Sequence, residues 1–182
     1  IFMLERDSRT AMLIGEDALN KLKASRVAVF GIGGVGGYVA EALARSGVGH
    51  IVLVDNDVVS LTNLNRQFFF EEENIDQEKC ETAALFLKKR NPQIILEPVC
   101  ETVTEENVCE LIKDSDVVVD CVDRIATRKI IGRACAKLGI PLVEGGVHGF
   151  YGYVLPINSG KSACLECMET GSAKEMIPVP AI

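Results

Sequence analysis

Four glycines, Gly31, Gly33, Gly34 and Gly36, follow a short apolar run that ends at Phe30. Gly31, Gly33 and Gly36 fit the pattern G-x-G-x-x-G, and Gly34 adds a fourth. Glycine lets a backbone turn sharply and come close to a ligand. A helix start just beyond it points free N–H groups and the positive end of its dipole at an anion. That is the chemistry of a phosphate cradle. Asp55 stands 19 residues past Gly36, where an acidic side chain can accept hydrogen bonds from a ribose hydroxyl. These residues point to a nucleotide without saying which. NAD fits this stretch as well as ATP does.

A second set of residues separates the two. The loop 55–67 carries Asp55 and Asp57, then Asn63, Asn65, Arg66 and Gln67. Lys79 opens the next helical stretch, and Asp123 ends a later apolar run. Hydride transfer to NAD needs a nicotinamide pocket and a proton relay. It has no need of an Arg–Lys pair and a lone carboxylate around phosphates. Phosphoryl or adenylyl transfer needs that combination: cations offset charge on phosphate oxygens, and a carboxylate holds Mg²⁺. Each of these residues alone reads as a surface ion-pair partner. Together they favour ATP, because the fold expected below gathers them at one end of a sheet. Cys164 and Cys167 form C-x-x-C, half of a tetrahedral zinc site. The rival reading is a redox pair, but that motif follows a strand into a helix. Cys80, Cys100, Cys109, Cys121 and Cys135 read as small core or helix residues, none of them a nucleophile. His148 reads as a polar loop residue rather than a base.

The elements that must position these groups alternate strand and helix. Strands are expected at 26–30, 50–54, near 94–99, 116–122 and 141–147, and helices at 35–46, 76–90, 104–113 and 126–138. Asn91-Pro92 stops the second helix. Thr104 is placed to cap the third, with Asn107 at the capping-box position. Most strands are continuous Val/Ile/Leu runs without alternation, as in a parallel sheet covered on both faces. The expected fold is α/β, a doubly wound Rossmann-like and mostly parallel sheet with helices on both faces, followed by an antiparallel extension. Its ligand belongs outside the carboxyl ends of the strands, where strand order reverses. Residues 1–25 read as an arm of two short helices broken at Gly15, 26–149 as the nucleotide-binding core, and 150–182 as antiparallel strands plus the C-x-x-C segment of one domain. The pattern reads as unfinished at Ile182, so a further C-terminal part is expected.

Composition narrows the partners. At 182 residues with 48% apolar and 25% charged residues the chain is an ordinary globular α/β protein. A net charge of −7 disfavours non-specific nucleic-acid binding. No apolar run approaches about 20 residues, so no membrane span is expected, and no signal peptide stands at the start. Seven cysteines, an odd number, argue against a disulfide framework and for a reducing cytoplasm.

GIGGVGG, then D-N-D-V-V-S-L-T-N-L-N-R-Q, then Lys79, then D-C-V-D-R-I-A-T-R resemble the adenylation domain of the ubiquitin-activating superfamily. Within it the chain is similar to the ThiF, MoeB and HesA group of sulfur-carrier adenylyltransferases, over roughly residues 5–170. The resemblance implies ATP, Mg²⁺ and attack by the C-terminal glycine carboxylate of a ubiquitin-like sulfur carrier on the α-phosphate. It places Gly34 against the phosphates, Asp55 on the ribose, Asn63, Arg66 and Lys79 on the triphosphate, and Asp123 at the Mg²⁺. Arg9 matches the last basic residue of the family's N-terminal R-Y-x-R-Q, which reaches the ATP of the other subunit of a homodimer. Three positions depart from the pattern: Asp7 stands where tyrosine is usual, Gly37 where serine is common, and Arg124 where asparagine follows the second aspartate. In the family a second C-x-x-C completes the zinc set further on. The first 67 residues also resemble the branch that dehydrates threonylcarbamoyladenosine on tRNA. The later D-C-V-D and C-L-E-C favour the sulfur-carrier branch.

Overall fold

The computed structural model describes residues 5–159 and 161–164. Strand β1 (Arg26–Phe30) shows why its run has no alternation: both of its faces are buried. Val27 and Val29 join Ile51 and Leu53 in one core cluster, while Ala28 and Phe30 join Val52 and Val54 in another on the opposite face. Strand β2 (His50–Val54) pairs with β1 in parallel, residue for residue from Arg26↔His50 to Phe30↔Val54. Strands β3 (Ile95–Val99), β4 (Val117–Asp120), β5 (Leu142–His148) and β6 (Tyr151–Ile157) complete a six-stranded sheet in the order β3-β2-β1-β4-β5-β6. The first five are parallel and β6 returns antiparallel to β5. Pro98 lies in β3, an edge strand, where a missing N–H costs no ladder bond.

Among the described residues six α-helices flank the sheet: α1 (Ser8–Ile14), α2 (Glu16–Ala24), α3 (Gly36–Ser46), α4 (Lys79–Arg90), α5 (Val108–Ile112) and α6 (Ile125–Leu138). Ala40, Ala44, Ala83 and Leu87 carry α3 and α4 onto the first core cluster, and Val108, Ile112, Ile131 and Cys135 carry α5 and α6 onto the second. The doubly wound, mostly parallel sheet with its antiparallel extension is therefore the fold present. Strand order reverses between β1 and β4, which opens a crevice at their carboxyl ends. No helix among the described residues is long and apolar enough to cross a membrane.

Several elements are shorter than their sequence patterns, each for a local reason. β4 stops at Asp120 because its Oδ1 accepts the Val122 N–H at 2.9 Å, turning the chain out of the sheet. α4 begins at Lys79, after a bridge between Val58 and Glu78 and a left-handed Asp76 (φ 70°). Thr104 and Asn107 form the expected reciprocal box, Asn107 N–H to Thr104 Oγ1 at 3.3 Å and Thr104 N–H to Asn107 Oδ1 at 2.8 Å, but regular helix starts only at Val108. The reading of Cys80 and Cys100 as unpaired core or helix residues is corrected. Packing of α4 against β3 brings the Cα atoms of Cys80 and Cys100 to 6.2 Å, and the two sulfurs are bonded.

Asp7 explains one departure from the family pattern. It is 6% exposed and pairs with Lys23 of α2 at 2.7 Å, so it ties the two helices of the arm together where a tyrosine would stand.

Candidate functional site

Two of the glycines are required by close approach. At Gly31 the backbone is left-handed (φ 81°), and a Cβ would lie 2.9 Å from the Cys121 carbonyl oxygen. A Cβ on Gly36 would sit 1.7 Å from the carbonyl oxygen of Gly31. The loop is thus folded tightly on itself before α3, and this brings the first turn of α3 to the end of β1.

A cavity of about 640 Å³ opens at the carboxyl ends of the strands, within the roughly 300–1,000 Å³ of small-molecule sites. Gly31, Gly33, Gly34, Asp55, Asp57, Asn63, Arg66, Lys79 and Asp123 all line it. Gly36 lies behind, in the first turn of α3. Arg9 sits exposed on α1 and is not among the lining residues of its own chain. Cys164 packs against the second core cluster rather than in the cavity, and Cys167 lies outside the described residues. No group of three or more His, Cys, Asp or Glu that could hold a metal occurs among the described residues. His148 ends β5, exposed and away from the cavity lining. Asp123 fits Mg²⁺ in another way: it is an exposed carboxylate on a cavity lined by cations, and a nucleotide-bound Mg²⁺ needs only one or two such groups.

Asp55 is fixed from two sides. Its Oδ2 accepts the Ile32 N–H at 2.6 Å and its Oδ1 accepts the Asp57 N–H at 2.8 Å. Burial pushes its carboxyl above the usual range, while those two amides and the charge of Lys79 pull the other way. A carboxylate has about four lone-pair sites, so both oxygens can still receive a hydroxyl. Lys79, only 5% exposed, reaches Asp57 Oδ2 at 2.9 Å, and its N–H donates to the Asp57 carbonyl at 3.0 Å. Asp57 therefore aims the lysine along the cavity wall. Arg66 lays its stem beside Gly34, where a Cβ would meet it at 3.5 Å, an ordinary contact. Its Nη1 donates to the Thr62 carbonyl and to Asn65 Oδ1, both at 3.0 Å. Asn63 Oδ1 accepts the Ser60 N–H at 3.0 Å, which leaves its amide NH₂ as the donor for a ligand.

Beyond β4 the structure gathers groups to which the sequence reading gave no role. Asp120 and Glu144 are register partners on neighbouring strands, 0% and 1% exposed. Arg128 of α6, 6% exposed, lies over them and lines the cavity with Gly145, Gly146 and Val147. A signal existed: Arg128, Ile131, Ala134 and Cys135 are the buried stripe of α6, so an arginine occupies a core-facing position. Burial raises the Asp120 carboxyl to about 6 against the pull of Arg128, and burial likewise raises Glu144.

This has a measurable consequence. A free aspartate loses its proton near pH 4. Between there and about pH 6 the folded chain holds the Asp120 proton more tightly than the unfolded chain. Raising the pH through that window therefore costs stability, on the order of 3 kcal/mol from this group. Urea midpoints of Asp120→Asn should fall less steeply from pH 4 to 7 than those of the wild type. Equal slopes would mean that Asp120 does not titrate there.

Similarity to known proteins fits this geometry. The SAMP-activating enzyme E1 of Haloferax volcanii is 40% identical over 151 residues, 82% of this chain and 56% of that protein. The sulfur carrier protein ThiS adenylyltransferase of Bacillus subtilis is 36% identical over 157 residues, 85% of this chain and 47% of that protein. The crystal structure of Escherichia coli tRNA N6-threonylcarbamoyladenosine dehydratase in complex with ATP matches with a TM-score of 0.77 at 37% identity, covering 81% of this chain and 61% of that one. The chain thus spans about half to three fifths of the length of these relatives. The ThiF family profile matches residues 7–180, from the arm through the whole sheet and its cavity, and the chain belongs to the ThiF family.

Proposed function

We propose that this chain is the adenylation domain of an ATP-dependent adenylyltransferase that activates the C-terminal glycine carboxylate of a ubiquitin-like sulfur-carrier protein. The observation that carries this reading is the convergence of Asp55, Arg66, Lys79 and Asp123 on one cavity around the glycine loop. Relatives named for a SAMP-activating enzyme and a ThiS adenylyltransferase support it. The cations speak against the NAD-dependent oxidoreductase reading. Retention of Arg66, Lys79 and Asp123 speaks against a non-catalytic binding partner.

In the reaction a carboxylate oxygen of the carrier attacks the α-phosphorus of ATP. The bond to the oxygen bridging the α- and β-phosphates breaks, and pyrophosphate leaves with the electron pair. No proton has to move, because the nucleophile is already an anion. Asp55 accepts the ribose hydroxyls, and the N–H groups at the start of α3 face the phosphates. Lys79, aimed by Asp57, and Arg66 neutralise charge that builds on the departing pyrophosphate. Mg²⁺, when bound, offsets phosphate charge, and Asp123 is the residue that would hold it.

A second reading rests on the dehydratase structure, which shares 37% identity with this chain. That branch also adenylates a carboxylate, but on a tRNA base. Pyrophosphate–ATP exchange distinguishes the two. Exchange should require a purified carrier protein ending in Gly-Gly. Exchange driven by threonylcarbamoyladenosine-bearing tRNA, and by none of the carriers, overturns the carrier reading.

The active unit is proposed to be a homodimer in which Arg9 reaches the phosphates of the neighbouring site. Arg9 lies on the same short helix as Met12 and Leu13, which are 78% and 85% exposed and give a second copy an apolar surface to cover. Arg9→Ala and Asp123→Ala chains, each nearly inactive, are mixed and allowed to re-pair. Half of the dimers are then mixed, each with one intact site, so activity should return to about a quarter of wild type. No recovery would mean that Arg9 acts within its own chain or not at all.

A further inference from the structure

Two walls of the cavity meet at one covalent bond. Lys79, the first residue of α4, lines the cavity, and Cys80 follows it directly. On the neighbouring side Glu101, Thr102 and Val103 line the cavity, and Cys100 precedes them directly. The Cys80–Cys100 disulfide therefore ties the helical turn that carries the lysine to the segment that leaves β3. Residues 100–107 form neither strand nor helix. Their hydrogen bonds run forward: the Thr102 carbonyl accepts Asn107 Nδ2 at 3.0 Å, and the Thr104 N–H donates to Asn107 Oδ1 at 2.8 Å. The disulfide is thus the covalent link between the cation side of the site and its β3 side.

The two sulfurs differ in access. Cys80 is 0% exposed, while Cys100 is half-buried at the edge of the same core cluster. An external thiolate can approach the Cys100 sulfur and not that of Cys80. Cys80 stands in the first turn of α4, where the positive end of the helix dipole favours a thiolate. A sulfur suited to leave therefore sits behind one that can be attacked, which is the arrangement thiol–disulfide exchange needs. Other cysteines are unsuited to it. Burial pushes the Cys121 and Cys135 thiols up to about 12, so both keep their protons.

We propose that Cys80 and Cys100 are a thiol–disulfide exchange site that sets the affinity of the cavity for ATP, tight with the bond closed and weaker with it open. To open it, a low-molecular-weight thiolate attacks Cys100 Sγ, the S–S bond breaks, and Cys80 leaves with the electron pair and takes up a proton. A second thiolate attacks the outer sulfur of the mixed disulfide and releases Cys100, which is protonated in turn. Two external thiols become one external disulfide, and the protein pair gains two electrons and two protons. Closing reverses these steps, with a low-molecular-weight disulfide as oxidant. With the bond open, α4 and residues 101–103 are free to separate, and the Lys79 ammonium loses its fixed distance from that wall. This rests on the nucleotide assignment above.

The test measures ATP affinity of the full chain by calorimetry after equilibration with glutathione disulfide and after reduction with excess 2-mercaptoethanol. Alkylation and mass spectrometry read the state of the pair in each sample. The oxidised chain should bind ATP roughly 5- to 20-fold more tightly than the reduced chain, the lower range of coupling between two sites. Cys100→Ser and Cys80→Ala should each bind ATP as the reduced wild type does and respond to neither reagent. The wild-type comparison needs no substitution, so the test stands if a variant does not fold. Equal affinity in the two states overturns the inference alone. So does a pair that glutathione disulfide does not close, or one that opens only in denaturant, since the bond is then absent or a fixed staple. A response that persists in both variants assigns the effect to another cysteine and overturns it too. A chain that binds ATP in neither state overturns the nucleotide assignment, and this inference with it.

Discussion

Replacing Asp123 with alanine should lower the rate of ATP–pyrophosphate exchange by roughly two to four powers of ten, as removal of a major electrostatic contact does. The residue is exposed at the cavity wall, just beyond the turn that ends β4. Alanine there removes a charge without opening a core cavity, so stability should move by less than about 0.5 kcal/mol. The two measurements together identify a functional carboxylate. A fall in exchange with an unchanged urea midpoint is the expected pair. Near-wild-type exchange would mean that the metal is held by other groups.

Lys79→Met should lower exchange on the order of 10²- to 10³-fold, chiefly in kcat. A cation that neutralises the leaving pyrophosphate matters most as that charge develops. Methionine keeps much of the volume at a site only 5% exposed. The partner left behind, Asp57, has a side chain 64% exposed and rehydrates freely. The fold should therefore lose far less than the several kcal/mol that an orphaned buried charge would cost. A KM for ATP that rises with kcat unchanged would instead assign Lys79 to ground-state binding.

The parts of the site visible in the sequence were those set by short-range chemistry. A strand, a glycine loop and a helix start lie within a dozen residues; Gly31 is required by its left-handed backbone and Gly36 by the carbonyl of Gly31 five residues before it. Asp55 was legible because one β-α-β unit fixes the distance from the loop to the end of β2. Lys79, Arg66 and Asp123 could be named as a set only because the expected fold sends the ends of successive strands to one edge. Their burial and partners were not legible. Nothing in the spacing says that Lys79 is buried while Asp57 is exposed, or that Asp57 aims the lysine.

Read along the chain, the residues specify the alternation of strand and helix, the doubly wound class, the glycine loop and the acidic residue that faces it. These follow from periodicity and local backbone conformation, which neighbouring residues impose. Which distant residues meet is a matter of packing. Cys80 and Cys100 are bonded because α4 packs on β3, although the sequence shows only two cysteines 20 residues apart. Asp7 is buried because Lys23 reaches it from the next helix, so an apparent defect in the family pattern became an ion pair. Asp120, Glu144 and Arg128 form one buried group because β4 and β5 pair with Asp120 opposite Glu144, while α6 turns Arg128 down over them. Register and helix rotation are properties of packed elements, and a one-residue slip in β5 would send Glu144 to the other face of the sheet.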